Sequence, residues 1–422
     1  MKVCILTLGT RGDVQPYVAL AKGLIRQGHS AVICTGESFK SLIEENGVNF
    51  CKATSDYMAI AKSPEGKAIL EAPMKNIKLV VQYSKEVLIP AYRKTLDEFY
   101  EAAKGSDMII YSPKALGAVD IALHLNIPCV SMSPVPIMYP ISEFPNLSIT
   151  HKNLGGWINK LTYRLNAKAE QQQIKSINDF RVITLGLKER KSGIYTFHNG
   201  NKEIPIVYPI SPVLFPDVTS WKGHVFLSGF LYLDHDKEIL PKEVKSFLSD
   251  GNRPIAITFS SMPMKNPDLF IQKLKRALVE TSNRAILLVG NSGINYKSDQ
   301  TLCVVKETSH TALFSRVKGV VHHGGVGTMA AALRAGIPQL IIPFSVDQPF
   351  WANRLYKLGY SLKPLKKENL TVTDLARAFR EMDNIERCTM AQQIALKIES
   401  ENGVENLINY LETLHNSDIY PV

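Results

Sequence analysis

Short apolar runs alternate with helical patterns along most of the chain. Residues 3–8 form an apolar run typical of a buried strand, a helical pattern covers 16–27, and a second apolar run covers 31–35. A similar order of strand, helix and strand recurs within residues 108–133, where serine and proline end the runs. This order predicts an open parallel sheet wrapped by helices.

The alternation stops between residues 211 and 236, where proline, glycine and aromatic residues are frequent, and then starts again. A final helical pattern at 390–414 is expected to pack back across this junction. The chain is therefore predicted to be an α/β protein with two Rossmann-like doubly wound domains facing a central cleft. The apolar runs of the second half lie at 255–259, 285–289, 303–305, 319–321 and 339–342, with a helical pattern at 267–280.

The length of 422 residues also favours two domains. We expect an N-terminal domain at 1–215, a linker at 216–236, a C-terminal domain at 237–390, and a crossover helix and tail at 391–422.

The net charge of +10 favours an anionic partner. The basic residues are dispersed, and no basic stripe interleaved with aromatics indicates a nucleic-acid surface. The six cysteines lie far apart without a C-x-x-C pair, so we expect reduced, buried thiols. The first apolar run is too short for a secretory signal, and no run approaches a membrane span. A cytoplasmic protein is expected, either soluble or in peripheral contact with a membrane.

The strongest local motif is HHGGVGT at residues 322–328, between a predicted strand and a helix. Unpaired backbone N–H groups and the helix dipole converge at such a turn, and glycines allow a diphosphate to approach the backbone. The spacing fits neither the P-loop nor the dinucleotide fingerprint. A plain tight turn is the structural alternative.

Two motifs at opposite ends of the chain carry a family resemblance. HHGGVGT with DQPFW at 347–351 resembles the donor-binding signature of family 1 glycosyltransferases, in the form found in sterol and glycopeptide glycosyltransferases. GTRGDVQP at 9–16 is similar to the N-terminal signature of the same subgroup. The resemblance covers essentially the whole chain and implies the GT-B fold, with two facing Rossmann-like domains.

The resemblance implies that the N-terminal domain at 1–215 is the acceptor-binding domain and that the C-terminal domain at 237–390 is the nucleotide-sugar-binding domain. It therefore implies a donor site for a nucleotide sugar. His323 is expected to hydrogen-bond the phosphates at the helix N-terminus, and Asp347 and Gln348 to bind sugar hydroxyls. The other residues expected at the donor site are Thr10, Arg11, Gly12, Ser261, His310, Gly324, Gly325, Gly327 and Thr328.

Three positions depart from the family pattern. Ser260 replaces a glycine before Ser261, and Ser309 replaces a proline before His310. Ala331 stands where plant relatives carry an acidic residue that binds the ribose. How the ribose is held is left open.

Asp13 follows the first strand, and a helix N-cap is its structural alternative. The resemblance implies that Asp13 is the base that deprotonates the acceptor hydroxyl, so that one direct displacement inverts the anomeric configuration. No D-x-D pattern that could hold a divalent ion follows a strand, so a reaction without metal or cofactor is expected.

The acceptor is expected in the least regular parts of the N-terminal half, at 53–92 and 131–165. Methionines and aromatics suit a greasy ligand, although ordinary core packing is an equal alternative for each residue. The candidate acceptor residues are Met58, Tyr83, Met132, Pro134, Tyr139, Phe144 and Trp157.

Together these features favour transfer of a hexose, such as glucose from UDP-glucose, to a sterol-like, macrolide-like or other lipophilic alcohol. One alternative on the same fold is a nucleotide-sugar epimerase or a cell-wall precursor transferase. Another is a non-catalytic nucleotide-sugar-binding protein.

Overall fold

The computed structural model describes residues 1–71, 76–191, 198–199, 202–234, 240–259, 266–290, 292, 294–344 and 347–416. Two parallel sheets, one in each half of the chain, have helices packed against them. The predicted α/β architecture with two Rossmann-like domains is confirmed.

The first sheet has seven parallel strands in the order β3-β2-β1-β4-β5-β8-β9. Its central strands are buried on both faces, which explains their continuous apolar sequences. Ile5 on β1 pairs with Ile33 on one side and Ile110 on the other. The strands of this half, with the short hairpin β6 and β7, are β1 (Lys2–Leu6), β2 (Ser30–Gly36), β3 (Asn49–Ala53), β4 (Met108–Tyr111), β5 (Cys129–Met132), β6 (His198–Asn199), β7 (Lys202–Glu203), β8 (Ile206–Tyr208) and β9 (Val225–Leu227).

Nine α-helices accompany the first sheet, together with short 3₁₀ turns and a π-helical turn at Ser84–Leu88. The count covers the described residues. These helices are α1 (Arg11–Arg26), α2 (Lys40–Glu44), α3 (Tyr57–Lys62), α4 (Pro64–Glu71), α5 (Ile77–Tyr83), α6 (Ile89–Ala103), α7 (Ala118–Leu125), α8 (Gly156–Thr162) and α9 (Asn166–Ile183).

The second sheet has five parallel strands in the order β12-β11-β10-β13-β14. Its strands are β10 (Ile255–Thr258), β11 (Ala285–Leu288), β12 (Leu302–Val305), β13 (Gly319–His322) and β14 (Gln339–Ile341). The helices of this half are α10 (Lys242–Ser249), α11 (Pro267–Glu280), α12 (His310–Phe314), α13 (Val326–Arg334), α14 (Gln348–Lys357), α15 (Val372–Glu381), α16 (Ile385–Glu399) and α17 (Gly403–Asn416).

An aromatic cluster joins the two halves. Phe144 of the first half lies 4.8 Å from Phe350 of the second, ring centre to ring centre. Phe215 contacts both Phe350 and Trp351, and Trp221 packs against Phe215 at 4.8 Å. The two domains therefore share one buried apolar core beside the cleft.

The C-terminal segment forms two helices where one continuous helix was expected. Helix α16 packs against α13, and α17 packs against α1 of the first domain. The helical conformation is interrupted between α16 and α17 because Asn402 adopts a left-handed φ of 52°. A side chain at Gly403 would lie 2.4 Å from the carbonyl oxygen of Phe230, so only glycine fits there.

Strand β9 lies within the predicted linker 216–236 and belongs to the first sheet, while the domain bounds stay a prediction. Two further expectations differ from the structure. The stretch 53–92 was expected to be irregular, but it is mostly helical. The sequence did not reveal these helices because α3 and the π-helical turn bury no side chain and so lack a clear apolar stripe. Helix α1 begins at Arg11, so Pro16 lies within it and does not start it.

Candidate functional site

Asp13 lies in the first turn of α1, at the edge of the first sheet where the parallel strands end. Its Oδ2 accepts hydrogen bonds from the Thr10 backbone N–H at 2.8 Å and from the Thr10 hydroxyl at 3.0 Å. Asp13 is therefore the third residue of the helix, in a capping-box arrangement, with Thr10 at the N-cap. The sequence had suggested Asp13 itself as the structural N-cap.

Lys114 approaches the same carboxylate from the loop after β4. Its Nζ lies 2.8 Å from Asp13 Oδ2. A side chain at Gly9 would lie 2.3 Å from Asp13 Oδ2 and 2.7 Å from Lys114 Nζ, and Gly9 has a φ of 140°. Glycine at position 9 thus leaves room for the ion pair. Three donors converge on Oδ2, and no residue in the described part of the chain donates to Oδ1.

The glycine-rich turn after β13 is held from below by His322. This fully buried ring accepts the Gly324 N–H at Nδ1 and contacts Gln339 Oε1 through Nε2 at 2.9 Å. Burial, followed by the effect of His323, lowers the pKa of His322 to about 3. His322 is therefore a neutral structural support for the turn.

His323 lies above the turn and is also buried, with 7% of its surface exposed. A side chain on Gly325 would lie 2.5 Å from His323 Nε2, so the ring sits directly against the turn. Its Nδ1 is buried and has no hydrogen-bond partner among the described residues. Burial, partly offset by a hydrogen bond with the Thr258 backbone, lowers the pKa of His323 to about 4.

The turn leads into α13, where Thr328 is buried and Gly327 is exposed with open space around it. Gly324 has a φ of 93°, a conformation that favours glycine. Gln348 lies beside it, because its Cβ is 3.4 Å from the position that a Gly324 Cβ would take. Residues of both C-terminal motifs therefore meet at one place.

Asp347 and Gln348 begin α14. Asp347 Oδ2 accepts a hydrogen bond from the Trp351 indole at 2.8 Å, and Gln348 Oε1 accepts one from the Phe344 backbone at 2.8 Å. Burial raises the pKa of Asp347, the Trp351 bond opposes this, and the charge of Asp13 raises it further.

His310 opens α12 and stacks on Phe314 with ring centres 4.9 Å apart. Ser309 replaces the expected proline and acts as the N-cap, because its side chain accepts the Ala312 N–H. Burial lowers the pKa of His310 to about 4, with smaller contributions from Arg11 and His323.

Two of these pKa effects act between the two domains, so the groups concerned lie near each other at one site. The charge of Asp13 acts on Asp347, and the charge of Arg11 acts on His310. Each pair joins the start of α1 to the second domain. The site therefore combines a partly buried carboxylate, two neutral imidazoles and a helix N-terminus, a set able to bind an anion and accept a proton.

The candidate acceptor residues are dispersed. Met132 and Phe144 are 1% and 4% exposed and belong to core clusters, whereas Trp157 is 75% exposed. Tyr139 stacks on His224, with ring centres 4.8 Å apart. Met58 is partly buried against the first core, Tyr83 Oη lies 3.5 Å from Ser63 Oγ, and Pro134 is partly buried. Their assignment to an acceptor stays a prediction.

Sequence reasoning missed Lys114 and Tyr57. The ring of Tyr57 lies 6.0 Å from Lys114 Nζ, and burial followed by the charge of Asp13 raises the pKa of its phenol. The order of the parallel strands could have indicated Lys114, because β1 and β4 are neighbours and the loops that follow them meet at the same edge of the sheet. Ser261 lies outside the described residues.

Among the described residues, no set of three histidine, cysteine or acidic side chains is arranged to hold a metal ion. No helix in that part of the chain combines the length and apolarity needed to cross a bilayer.

Two family models match separate parts of the chain. The Glycosyltransferase family 28 N-terminal domain matches residues 3–131. The erythromycin biosynthesis protein CIII-like C-terminal domain matches residues 301–414. The first match contains Asp13 and Lys114, and the second contains the glycine-rich turn.

Curated relatives align along nearly the full chain. Two sterol 3-beta-glucosyltransferases of Arabidopsis thaliana are 30% and 32% identical over 96% and 97% of this chain. A sterol 3-beta-glucosyltransferase of Pichia angusta is 29% identical over 99% of it. The chain spans 66% and 64% of the two plant proteins and 33% of the Pichia protein, so each relative has additional sequence.

Solved structures resemble the whole chain at low identity. The glycotransferase of kitacinnamycin superposes with a TM-score of 0.71 at 16% identity, covering 97% of this chain and 98% of that one. SnogD from Streptomyces nogalater gives 0.68 at 16%, covering 98% and 99%. VinC in complex with dTDP gives 0.62 at 16%, with the same coverage. These matches establish a shared fold.

Proposed function

Because this chain belongs to the GT-B glycosyltransferase superfamily that includes the sterol 3-beta-glucosyltransferases, we propose that it is an inverting glycosyltransferase. It transfers a hexose from a nucleoside diphosphate sugar to a hydroxyl group of a hydrophobic small molecule. The observation that supports the proposal is the proximity of the start of α1 to the second domain, where the charge of Asp13 raises the pKa of Asp347 and the charge of Arg11 lowers the pKa of His310.

Asp13 is the proposed base. Thr10 and Lys114 hold Oδ2, while Oδ1 is left to accept a proton. The acceptor O–H bond breaks, its proton passes to Asp13, and the acceptor oxygen forms a bond to the anomeric carbon. The bond from that carbon to the diphosphate oxygen breaks, and its electron pair leaves with the nucleoside diphosphate. Attack from the face opposite the leaving group inverts the anomeric centre.

The leaving diphosphate is proposed to bind at the N-terminus of α13. Backbone N–H groups of the turn and the helix dipole stabilise the charge that develops on its oxygens. His323 is neutral at pH 7 because its pKa is about 4, so it acts there as a hydrogen-bond donor. These donors support a reaction without a metal ion.

The sugar is proposed to bind between this turn and the start of α14. Asp347 supplies acceptor oxygens and Gln348 supplies an amide, the groups that hexose hydroxyls require. Glucose carried by UDP is the finer proposal. The names of the sterol 3-beta-glucosyltransferase relatives support the glucosyl group. The sterol, macrolide and natural-product classes are proposed acceptors.

A panel of nucleotide sugars against hydrophobic alcohols, with products read by mass spectrometry, tests the proposal. We expect addition of one hexose to an alcohol, with release of the nucleoside diphosphate. The stereochemistry of the glycoside, measured by NMR, tests inversion separately. An epimerase would change the sugar nucleotide without an alcohol, and a binding protein would hold the nucleotide without turnover. Either result would overturn the proposed transfer.

A further inference from the structure

A row of large apolar side chains is exposed on the first domain. Trp157 and Leu161 lie on α8, and Leu165 lies on the 3₁₀ turn that follows it, four residues apart. Their exposed fractions are 75%, 44% and 40%. A spacing of four residues places them along one side of a helical run. The loop before α8 adds Ile149 and Leu154, which are 44% and 43% exposed.

The opposite side of this run is fastened to the domain. Asn159 is fully buried, and its side chain donates to the Ser142 carbonyl at 2.8 Å and accepts the Leu154 N–H. Thr162 accepts the Asn146 N–H at 2.8 Å, and Tyr163 is buried. The apolar row is therefore the outward side of a firmly held helix.

Basic residues accompany the row. Lys160, Arg164 and Lys168 are all exposed and follow Trp157 at three, seven and eleven residues, so they share its side of the helical run. The sequence from 144 to 169 contains no aspartate or glutamate.

The acidic residues that bound this segment have partners within the protein. Glu143 accepts a hydrogen bond from the Ser220 hydroxyl at 2.8 Å. Glu170 is buried, and one of its oxygens lies 2.5 Å from Arg190 Nη1. Their charges therefore do not neutralise the basic side chains of the row.

We propose that this face, defined by Trp157, Lys160, Leu161, Arg164, Leu165 and Lys168, docks the protein on the surface of an anionic lipid bilayer. Tryptophan and leucine enter the boundary between headgroups and acyl chains, and the lysine and arginine side chains contact lipid phosphates and carboxylates. This alternation of apolar and basic groups matches a bilayer surface, because a dry protein interface is depleted of lysine. The proposal does not depend on the proposed reaction.

Tryptophan fluorescence tests the docking directly. Of the three tryptophans, Trp221 and Trp351 are 4% and 0% exposed, so a change of emission on binding reports on Trp157. Vesicles of equal parts phosphatidylcholine and phosphatidylserine are expected to shift the emission to shorter wavelength and to protect it from acrylamide. Vesicles of phosphatidylcholine alone are expected to bind far more weakly, and added salt is expected to release the protein.

Paired variants identify the face. The double variant Lys160→Gln/Arg164→Gln is expected to bind anionic vesicles about 30-fold more weakly, or about fivefold for each charge. Lys242→Gln/Lys397→Gln removes the same charge elsewhere and is expected to bind normally. Leu161→Ser is expected to weaken binding, whereas Leu396→Ser, which alters a 68% exposed leucine on α16, is the matched control.

Three outcomes would overturn the proposal. Equal binding to neutral and anionic vesicles would remove the role of the basic residues. Vesicle binding with unchanged tryptophan emission would place the contact elsewhere. Self-association in sedimentation, lost in Leu161→Ser without any vesicle binding by the wild type, would assign the face to a second copy of the chain. Circular dichroism and thermal unfolding of each variant establish that it is folded.

Discussion

Lys114 Nζ lies 2.8 Å from Asp13 Oδ2, so a cation from the loop after β4 fixes one oxygen of the carboxylate at the start of α1. The same oxygen accepts both donors of Thr10. This geometry orients the carboxylate without occupying its second oxygen. It makes separable predictions for the base and for the residue that positions it.

Replacing Asp13 with asparagine should abolish transfer while leaving donor binding nearly normal. The amide keeps the shape of the side chain but does not accept the proton of the alcohol. The expected loss is roughly 10² to 10⁴-fold, mainly in kcat where chemistry limits the rate. Steady-state kinetics, UDP calorimetry and Tm measured on one preparation check it. A folded Asp13→Asn protein that binds UDP and retains near wild-type turnover would exclude Asp13 as the base.

Replacing Lys114 with methionine should lower kcat by about tenfold, near the lower end of what a charge-assisted hydrogen bond contributes. Lys114 is 43% exposed, so its ion pair adds little to stability and Tm should change little. Lys114→Arg should recover much of the rate because it keeps the charge. Comparing kcat with KM for the two variants tests a positioning role. Equal rates for methionine and wild type would remove it.

Replacing His323 with alanine should weaken UDP binding by about 1.5 to 3 kcal/mol, the contribution of a hydrogen bond to a charged group. Titration calorimetry measures the change. His224→Ala is the control, because His224 is half-exposed and stacks on Tyr139 in the first domain. An unchanged affinity in folded His323→Ala would show that the phosphates bind elsewhere.

Chelation with EDTA should leave turnover intact, because backbone donors of the turn and the dipole of α13 can stabilise the leaving diphosphate. The rate is measured before and after dialysis against EDTA, and again after adding magnesium, manganese or calcium. Loss of activity that one of these ions restores would contradict the prediction.

Acid should destabilise the fold through His322. Its pKa is about 3 in the folded protein and about 6.5 when unfolded, so the unfolded chain binds more protons between these values. Stability therefore falls as the pH drops below 6.5, by up to about 1.4 kcal/mol per pH unit from this histidine. Denaturant unfolding at pH 7, 6 and 5 measures the slope.

His322→Asn serves as the control for that slope. It should lower the free energy of unfolding at pH 7 by about 1 to 3 kcal/mol, because the bonds to Gly324 and Gln339 are altered. The free energy of unfolding of His322→Asn should depend less steeply on pH, by the amount that corresponds to about one bound proton. An identical slope in the variant would assign the acid sensitivity to other groups, with His310 and His323 the first to test.

Strands β1, β2, β4 and β5 and the five strands of the second sheet were predictable because buried parallel strands read as uninterrupted apolar runs. Strands β3, β8 and β9 of the first sheet were not predicted. Helix α11 was also predicted with the bounds that it has, Pro267–Glu280, because proline starts it and its apolar positions are periodic. The glycine-rich turn was located because glycine and a following helix are local signals.

The remaining features depend on tertiary contacts. The helices between residues 57 and 88 were missed because the side chains that face the domain are only partly buried. The break at Asn402 was missed because it depends on the approach of Phe230 to Gly403. Lys114 was missed because its partner is distant in sequence and meets it only through the pairing of β1 with β4.

The connection between α16 and α17 joins two helices that pack on opposite sides of the cleft. Helix α16 packs on α13, which follows the glycine-rich turn, and α17 packs on α1, which carries Asp13. Only residues 400–402 separate the two helices, and Glu401 is tied to Ser211 of the first domain by a hydrogen bond of 2.5 Å. The length of this connector therefore limits the distance between Asp13, the proposed base, and α13, the proposed phosphate-binding helix. Three residues that are remote in sequence from both motifs thus limit the width of the cleft.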